Sequence, residues 1–106
     1  MLREFFLGFI KIHILYHAAK GPVYGAELVR ELARHGYDLS PGTLYPTLHR
    51  LHEQGYLARE ARVVAGRVRK YYTITDKGQG ALSQARPKIA ELVGEVLDGA
   101  HPGGSL

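Results

Sequence analysis

Two groups of residues in this sequence have the types and spacing to do chemistry, and both are suited to an anion. The first lies between Ser40 and Leu57, which reads SPGTLYPTLHRLHEQGYL. Hydroxyls on Ser40, Thr43, Tyr45 and Thr47, together with the first-turn amides of a helix, suit phosphate oxygens and fix orientation without reading sequence. Arg50 or His49 suits a base edge. Arginine is the usual bidentate partner of guanine, worth roughly 1–3 kcal/mol of discrimination. The second group runs from Arg59 to Lys70, where Arg59, Arg62, Arg67, Arg69 and Lys70 stand against Glu60, so that 5 − 1 = +4 equals the formal net charge of the whole chain. So compact a basic stretch suits a polyanion, although solvated charge on a hairpin is the plainer reading.

Other chemistries find less support. His13 and His17 stand four apart on one helical stretch, as zinc ligands can, and His49 and His52 stand three apart on another. Neither pair has the adjoining glutamate of H-E-x-x-H, and the chain has no cysteine. These histidines are expected at a subunit interface or at the surface. No serine lies in a G-x-S-x-G turn and no glycines form a phosphate loop. The expected set therefore holds no catalytic residue, no metal and no cofactor. A metal-responsive arrangement using His13 and His17 is the alternative.

The elements that must carry the first group are legible from spacing. Ser40 is placed to accept a bond from a first-turn amide, and Pro41 has its φ preset at the first helical position. Leu44, Leu48 and Leu51 form one apolar stripe, which turns Gly42, Thr43, Pro46, His49, Arg50 and Glu53 outward, with Tyr45 and Thr47 on the flanks. Gly55 ends this helix after about four turns, long enough to lie in a DNA major groove. Ahead of it, Val23-Tyr24-Gly25 leads into a helix with Leu28, Val29, Leu32 and Ala33 as its stripe, ended by Gly36. Only Tyr37, Asp38 and Leu39 separate Gly36 from Ser40, and two helices joined by so short a turn match a helix-turn-helix. Tyr24 sits at the mouth of the first of them, where its hydroxyl reaches a phosphate or its ring packs.

The second group needs a hairpin. Strand-like runs over Tyr56–Val64 and Arg69–Ile74 flank Ala65-Gly66-Arg67-Val68, with Gly66 supplying the turn. A hairpin after a helix-turn-helix is a wing, and Arg67, Arg69 and Lys70 at its tip and second strand suit a phosphate backbone or a minor groove.

The ends of the chain point to self-association. With 106 residues, 45% of them hydrophobic, one domain with a modest core is expected. Leu2 to Ala19 is apolar nearly all round, carrying Phe5, Phe6, Phe9 and Ile10. Such a helix needs cover on two sides, and a second subunit supplies the outer one. Thr75 caps a last helix in which Gly78, Gly80 and Pro87 weaken the first half and Pro87 bends or restarts it. Ile89, Leu92, Val93, Val96 and Leu97 then recur at helical spacing on one face. No apolar run is long enough to span a bilayer, and Arg3, Glu4, Lys11 and His13 interrupt the first fifteen residues, unlike a signal peptide. A cytoplasmic location is expected. The whole reads as mainly α with a small β-hairpin (α+β), in three parts: a winged helix-turn-helix over 1–75, a dimerisation helix over 76–99 and a flexible tail over 100–106.

These strings resemble a known family. Tyr24-Gly25, SPGTLYPTLHRL at 40–51, GYL at 55–57, RKYYTIT at 69–75 and Gly78 look like the PadR family of bacterial transcriptional regulators, over Phe6 to about Leu82. The resemblance implies a winged helix-turn-helix followed by a dimerisation helix. It further implies binding to an inverted-repeat operator, usually as a repressor that a small molecule releases. With a single C-terminal helix the chain is similar to the family's short form. Carried over residue by residue, DNA contacts fall on Tyr24, Ser40, Gly42, Thr43, Tyr45, Pro46, Thr47 and Arg50, and on Arg67, Arg69 and Lys70 of the wing. Some short-form members line a ligand cavity at the dimer centre with an aromatic from the last helix. Here that helix has none, so stacking on a planar ligand falls to Phe5, Phe6, Phe9 or Tyr16.

The expected partners are thus double-stranded DNA, a second copy of the chain and a small-molecule effector, with no membrane. A dimer sets its recognition helices roughly 34–36 Å apart, one DNA turn, so the operator is a near-palindrome. A protein-binding adaptor that has lost DNA affinity is the rival, distinguished by binding insensitive to salt.

Overall fold

A computed structural model of the protein describes residues 1–99; the tail expected over 100–106 lies outside the described residues. The elements run α1 (Leu2–Lys20), β1 (Val23–Tyr24), α2 (Gly25–Arg34), α3 (Pro41–Glu53), β2 (Leu57–Val64), β3 (Arg67–Ile74) and α4 (Asp76–Val96). Four helices and one small sheet make it α+β. The sheet has the order β1-β3-β2 and is antiparallel throughout, so β3 is its central strand. β1 is absent from the sequence reading because two residues carry no periodicity. It pairs Val23 with Tyr72 and Tyr24 with Tyr71. The hairpin also differs from expectation. Arg67 and Val68 belong to β3, and the turn is only Ala65-Gly66, with φ of 52° and 78°. Positive φ at both central residues is the two-residue hairpin turn whose twist matches its strands.

The core is a layer of leucines between helices and sheet. Ile14, Leu28, Leu32, Leu44, Leu48 and Leu57 are fully buried, with one or two each from α1, α2, α3 and β2. Each such side chain contributes about 1.5–3 kcal/mol relative to exposure. The α2 stripe is narrower than expected: Leu28 and Leu32 are buried and Val29 partly so, but Ala33 faces solvent. α1 buries Ile10, Ile14, Leu15 and Ala18 on one side. Ile10, expected on the dimer face, is instead 5% exposed and part of the chain's own core, since its spacing from Ile14 places it on the inward stripe.

α4 is one helix from Asp76 to Val96 with Pro87 inside it, neither broken nor restarted. Pro87 and Ser83, whose carbonyl loses its i+4 donor there, are both exposed, so that carbonyl can meet water. Pro46 in α3 follows the same logic, its i−4 residue Gly42 being exposed. The head of α4 is tied to the tail of α3. The Thr75 hydroxyl donates to the Gly55 carbonyl (2.5 Å), the Thr75 amide to the Tyr56 carbonyl (3.2 Å) and Lys77 Nζ to the Gln54 carbonyl (2.6 Å). Thr75 also caps α4 by accepting from the Gly78 amide at 3.1 Å. Gly78 fits here without displacement only as glycine: a Cβ would overlap the Tyr56 carbonyl oxygen and lie 2.6 Å from Ile74 Cγ1, so a larger residue must shift the backbone.

Candidate nucleic-acid interface

The leucine stripe of α3 fixes which side chains it presents. With Leu44, Leu48 and Leu51 buried, Ser40, Gly42, Tyr45, Pro46, His49 and Arg50 are exposed and Thr43 is half-buried. Arg50 has its guanidinium in no hydrogen bond or ion pair among the described residues, and it stands in the solvent-facing row of the helix. His49 Nε2 lies 3.2 Å from a Glu53 carboxylate oxygen one turn on, which holds its ring along the helix.

Two hydroxyls differ from the sequence expectation. Thr47 is 2% exposed, and its hydroxyl donates to the Thr43 carbonyl at 2.8 Å, so it cannot reach a phosphate. A threonine inside a helix can satisfy its own hydroxyl on the preceding turn, which lets this one sit beside Leu48 on the inward half. Ser40 occupies the cap position but makes no side-chain cap bond; its hydroxyl donates to Thr43 Oγ1 at 3.3 Å. Pro41 has no N–H, and the Thr43 and Leu44 amides both donate to the Ser40 carbonyl.

Opposite α3 stands the wing, and its register sorts the basic residues onto two faces. Strand alternation puts directly paired residues on the same side. Leu57 and Tyr72 are buried, and the pairs Arg59↔Tyr72, Ala61↔Lys70 and Val63↔Val68 continue that inner side outward to the tip. Glu60↔Tyr71, Arg62↔Arg69 and Val64↔Arg67 take the other side. Val63 and Val68 form an exposed apolar pair near the tip, 74% and 70% accessible.

Between α3, the start of α2 and the inner side of the wing lies an open concavity of about 470 Å³. Tyr24, Gly25, Tyr45, His49, Arg59, Val68, Arg69 and Lys70 are among its lining residues. Tyr24 organises one wall. Arg69 stacks on its ring at 4.1 Å, Arg30 donates to its hydroxyl at 3.2 Å, and Tyr71 meets it edge-on at 5.5 Å with Arg62 over the Tyr71 ring at 4.6 Å. Each such cation–π contact contributes about 0.5–1 kcal/mol at an exposed site and holds the guanidinium in place. Tyr45 closes the other wall by lying against Gly25, where a Cβ would fall 2.6 Å from its hydroxyl oxygen.

The structure thus brings Tyr24, Tyr45, His49, Arg69 and Lys70 around one concavity; Ser40, Gly42, Thr43, Pro46, Thr47 and Arg50 of the α3 segment and Arg67 at the turn end of the wing are not among its lining residues. Sequence reasoning gives no site role to five of the lining residues: Gly25, Ala26, Arg59, Val68 and Tyr72. Arg59 belongs to the basic stretch without a role of its own, Val68 falls in the expected loop, and Gly25 figures as a helix start and in the family string Tyr24-Gly25. Alternation back from Tyr72 along β3 finds Val68 and alternation on from Leu57 along β2 finds Arg59; nothing in the sequence marks the contact of Gly25 with Tyr45. Arg30, which anchors Tyr24, gave no signal either.

A helix-turn-helix with a three-stranded sheet, a basic wing and an outward hydroxylic and basic helix defines a winged-helix transcriptional regulator. The chain belongs to the PadR-like family of transcriptional regulators, whose family model matches residues 14–84. It is 51% identical over 105 residues to the transcriptional regulator Rv3488 of Mycobacterium tuberculosis, covering 98% of each chain. Among solved structures it resembles a PadR family transcriptional regulator from Eggerthella lenta, with TM-score 0.76, 35% identity and coverage of 92% of this chain and 88% of that one. A PadR-like transcription factor from Bacteroides fragilis superposes with TM-score 0.79 at 29% identity over 92% and 96%. The family is one of regulators rather than of enzymes, and no helix among the described residues is long and apolar enough to cross a membrane.

Proposed function

We propose that the protein is a homodimeric repressor that binds an inverted-repeat operator and is released by a small-molecule ligand at the dimer interface. The observation that carries the DNA reading is the concavity between α3 and the wing, where Arg59 and Lys70 from the inner side of the wing and Arg69 from the Tyr24 wall line one opening together with Tyr45 and His49. Tyr24, Ser40, Thr43 and Tyr45 hold the backbone, Arg50 reads a base edge, and Arg67 follows the neighbouring groove. Dimerisation is supported by the apolar side chains that the fold leaves uncovered. Phe5, Phe6 and Phe9 on α1 and Ile89, Leu92, Val93, Val96 and Leu97 at the end of α4 are all exposed, Phe5 and Leu92 half so. A second copy covers them with its own α1 and α4. The exposed phenylalanine cluster also suits a planar ligand, which regulates only by binding two arrangements of the dimer unequally.

The test is selection of genomic fragments with the purified protein, followed by titration of the enriched fragment at two salt concentrations. Enrichment of one palindromic site with log K falling at about −0.9 per phosphate neutralised supports the reading. A dimer that enriches nothing and binds no DNA in a salt-dependent way refutes it.

A further inference from the structure

The fold completes a group that the sequence shows only in part. His13 and His17 stand one turn apart on α1, and His35, the C-cap residue of α2, packs against them. One ring nitrogen from each of the three lies within 4.8 Å of the others. The His13 ring centroid is 5.1 Å from that of His35 and 6.3 Å from that of His17. His17 Nε2 is buried and has no hydrogen-bond partner among the described residues. A buried nitrogen left without a partner is uncommon in a folded protein and asks for a ligand.

We propose that His13, His17 and His35 form a binding site for a divalent first-row transition-metal ion such as zinc, with solvent completing the coordination. Three imidazoles with an open position are an established ligand set for zinc, and imidazole equally suits nickel, copper and iron. A tetrahedral site with Zn–N of about 2.0–2.1 Å needs ligand nitrogens roughly 3.3 Å apart. His35 is exposed, so its side chain has room to turn toward the other two. Burial lowers the pKa of His13, and the neighbouring His35 and His17 add to it. Burial also lowers that of His17, with Lys20 and His35 in the same sense and Glu31 and Glu27 opposing. Neutral rings offer their lone pairs without first releasing a proton.

An ion here pins α1 to the end of α2, just before the turn that leads into α3. Any effect on DNA binding rests on the function proposed above; the site itself does not. The untagged full-length protein, stripped with chelator, is titrated with zinc chloride by calorimetry and with cobalt chloride by visible absorption. One ion per chain is expected, with a cobalt spectrum of low coordination number. His17→Gln and His35→Gln should each weaken binding at least tenfold while the metal-free melting temperature stays within a few degrees of the parent. His52→Gln, outside the cluster, should bind as the parent does. No saturable binding, or binding unaltered in a folded His17→Gln/His35→Gln double variant, overturns the proposal. Zinc binding by a protein that binds no DNA would leave the site standing and remove the regulator reading.

Discussion

Gly25→Ala tests how the recognition helix is aimed. The added Cβ would lie 2.6 Å from the Tyr45 hydroxyl oxygen and 2.7 Å from its ring Cζ. Unstrained contact needs about 3.5 Å, so the ring must give by roughly 1 Å. It can, because Tyr45 is 49% exposed and the clash is with the far end of a side chain. Stability should therefore barely change. Alanine in place of glycine gains up to about 1 kcal/mol of helix propensity, while a ring pushed off its rotamer costs of order 0.5–1.5 kcal/mol. DNA affinity should fall. A lost hydrogen bond to a charged phosphate is worth about 1.5–3 kcal/mol, or roughly tenfold to a hundredfold. Because the contact is to the backbone, operator and random DNA should lose alike. Fluorescence anisotropy at fixed salt reads the affinity and calorimetry the melt. In a double-mutant cycle with Tyr45→Phe the two losses should not add, since both act on one hydroxyl. Unchanged affinity in Gly25→Ala, or fully additive losses, would refute the role given to Tyr45.

Other outcomes follow from the same geometry. Gly78→Ala meets backbone rather than a mobile side chain, so overpacking of about 1–3 kcal/mol should exceed the propensity gain and lower the melting temperature by several degrees, read by calorimetry. Arg50→Ala should weaken operator binding by about 1–3 kcal/mol and relax one position per half-site, whereas Arg67→Ala should weaken all sequences and reduce the salt slope by about 1, both measured by competition binding. Leu92→Glu places a charge in the exposed apolar face of α4 and should halve the mass seen by light scattering without unfolding the chain. Ala65→Asn, at φ of 52°, puts a residue tolerant of the left-handed region into the wing turn and should raise the melting temperature by a few degrees.

What the sequence disclosed was local, and what it withheld depended on contacts across the fold. The leucine spacing of α3, its start at Pro41 and a stop signal at Gly55, two residues past its last residue Glu53, are readable because helix period and caps act within a few residues. Thr47 was misjudged because a hydroxyl that turns back to its own helix looks the same in sequence as one that turns outward. Ile10 is expected on the dimer face because α1 is apolar on several sides, and only the packing of α2 and the sheet decides which side is inner. The wing turn was read two residues too long because Arg67 and Val68 flank a glycine and have no buried partner to reveal their strand phase. His35 stands eighteen residues beyond His17, and only the crossing of α1 and α2 joins them.

The clasp between Gln54, Gly55 and Tyr56 on one side and Thr75 and Lys77 on the other removes any slack between α3 and α4. α4 therefore acts as a lever with its fulcrum at the foot of the recognition helix. Its 21 residues span about 30 Å, so a displacement of about 1 Å at the far end corresponds to a turn of about 2° at the clasp. On the dimer proposed above, a molecule wedged between Val96 and Leu97 and the second copy would be felt at α3 only as that small turn. If the proposed effector acts through this arm, it must shift whole helices rather than nudge single side chains, and the length of α4 then sets the sensitivity.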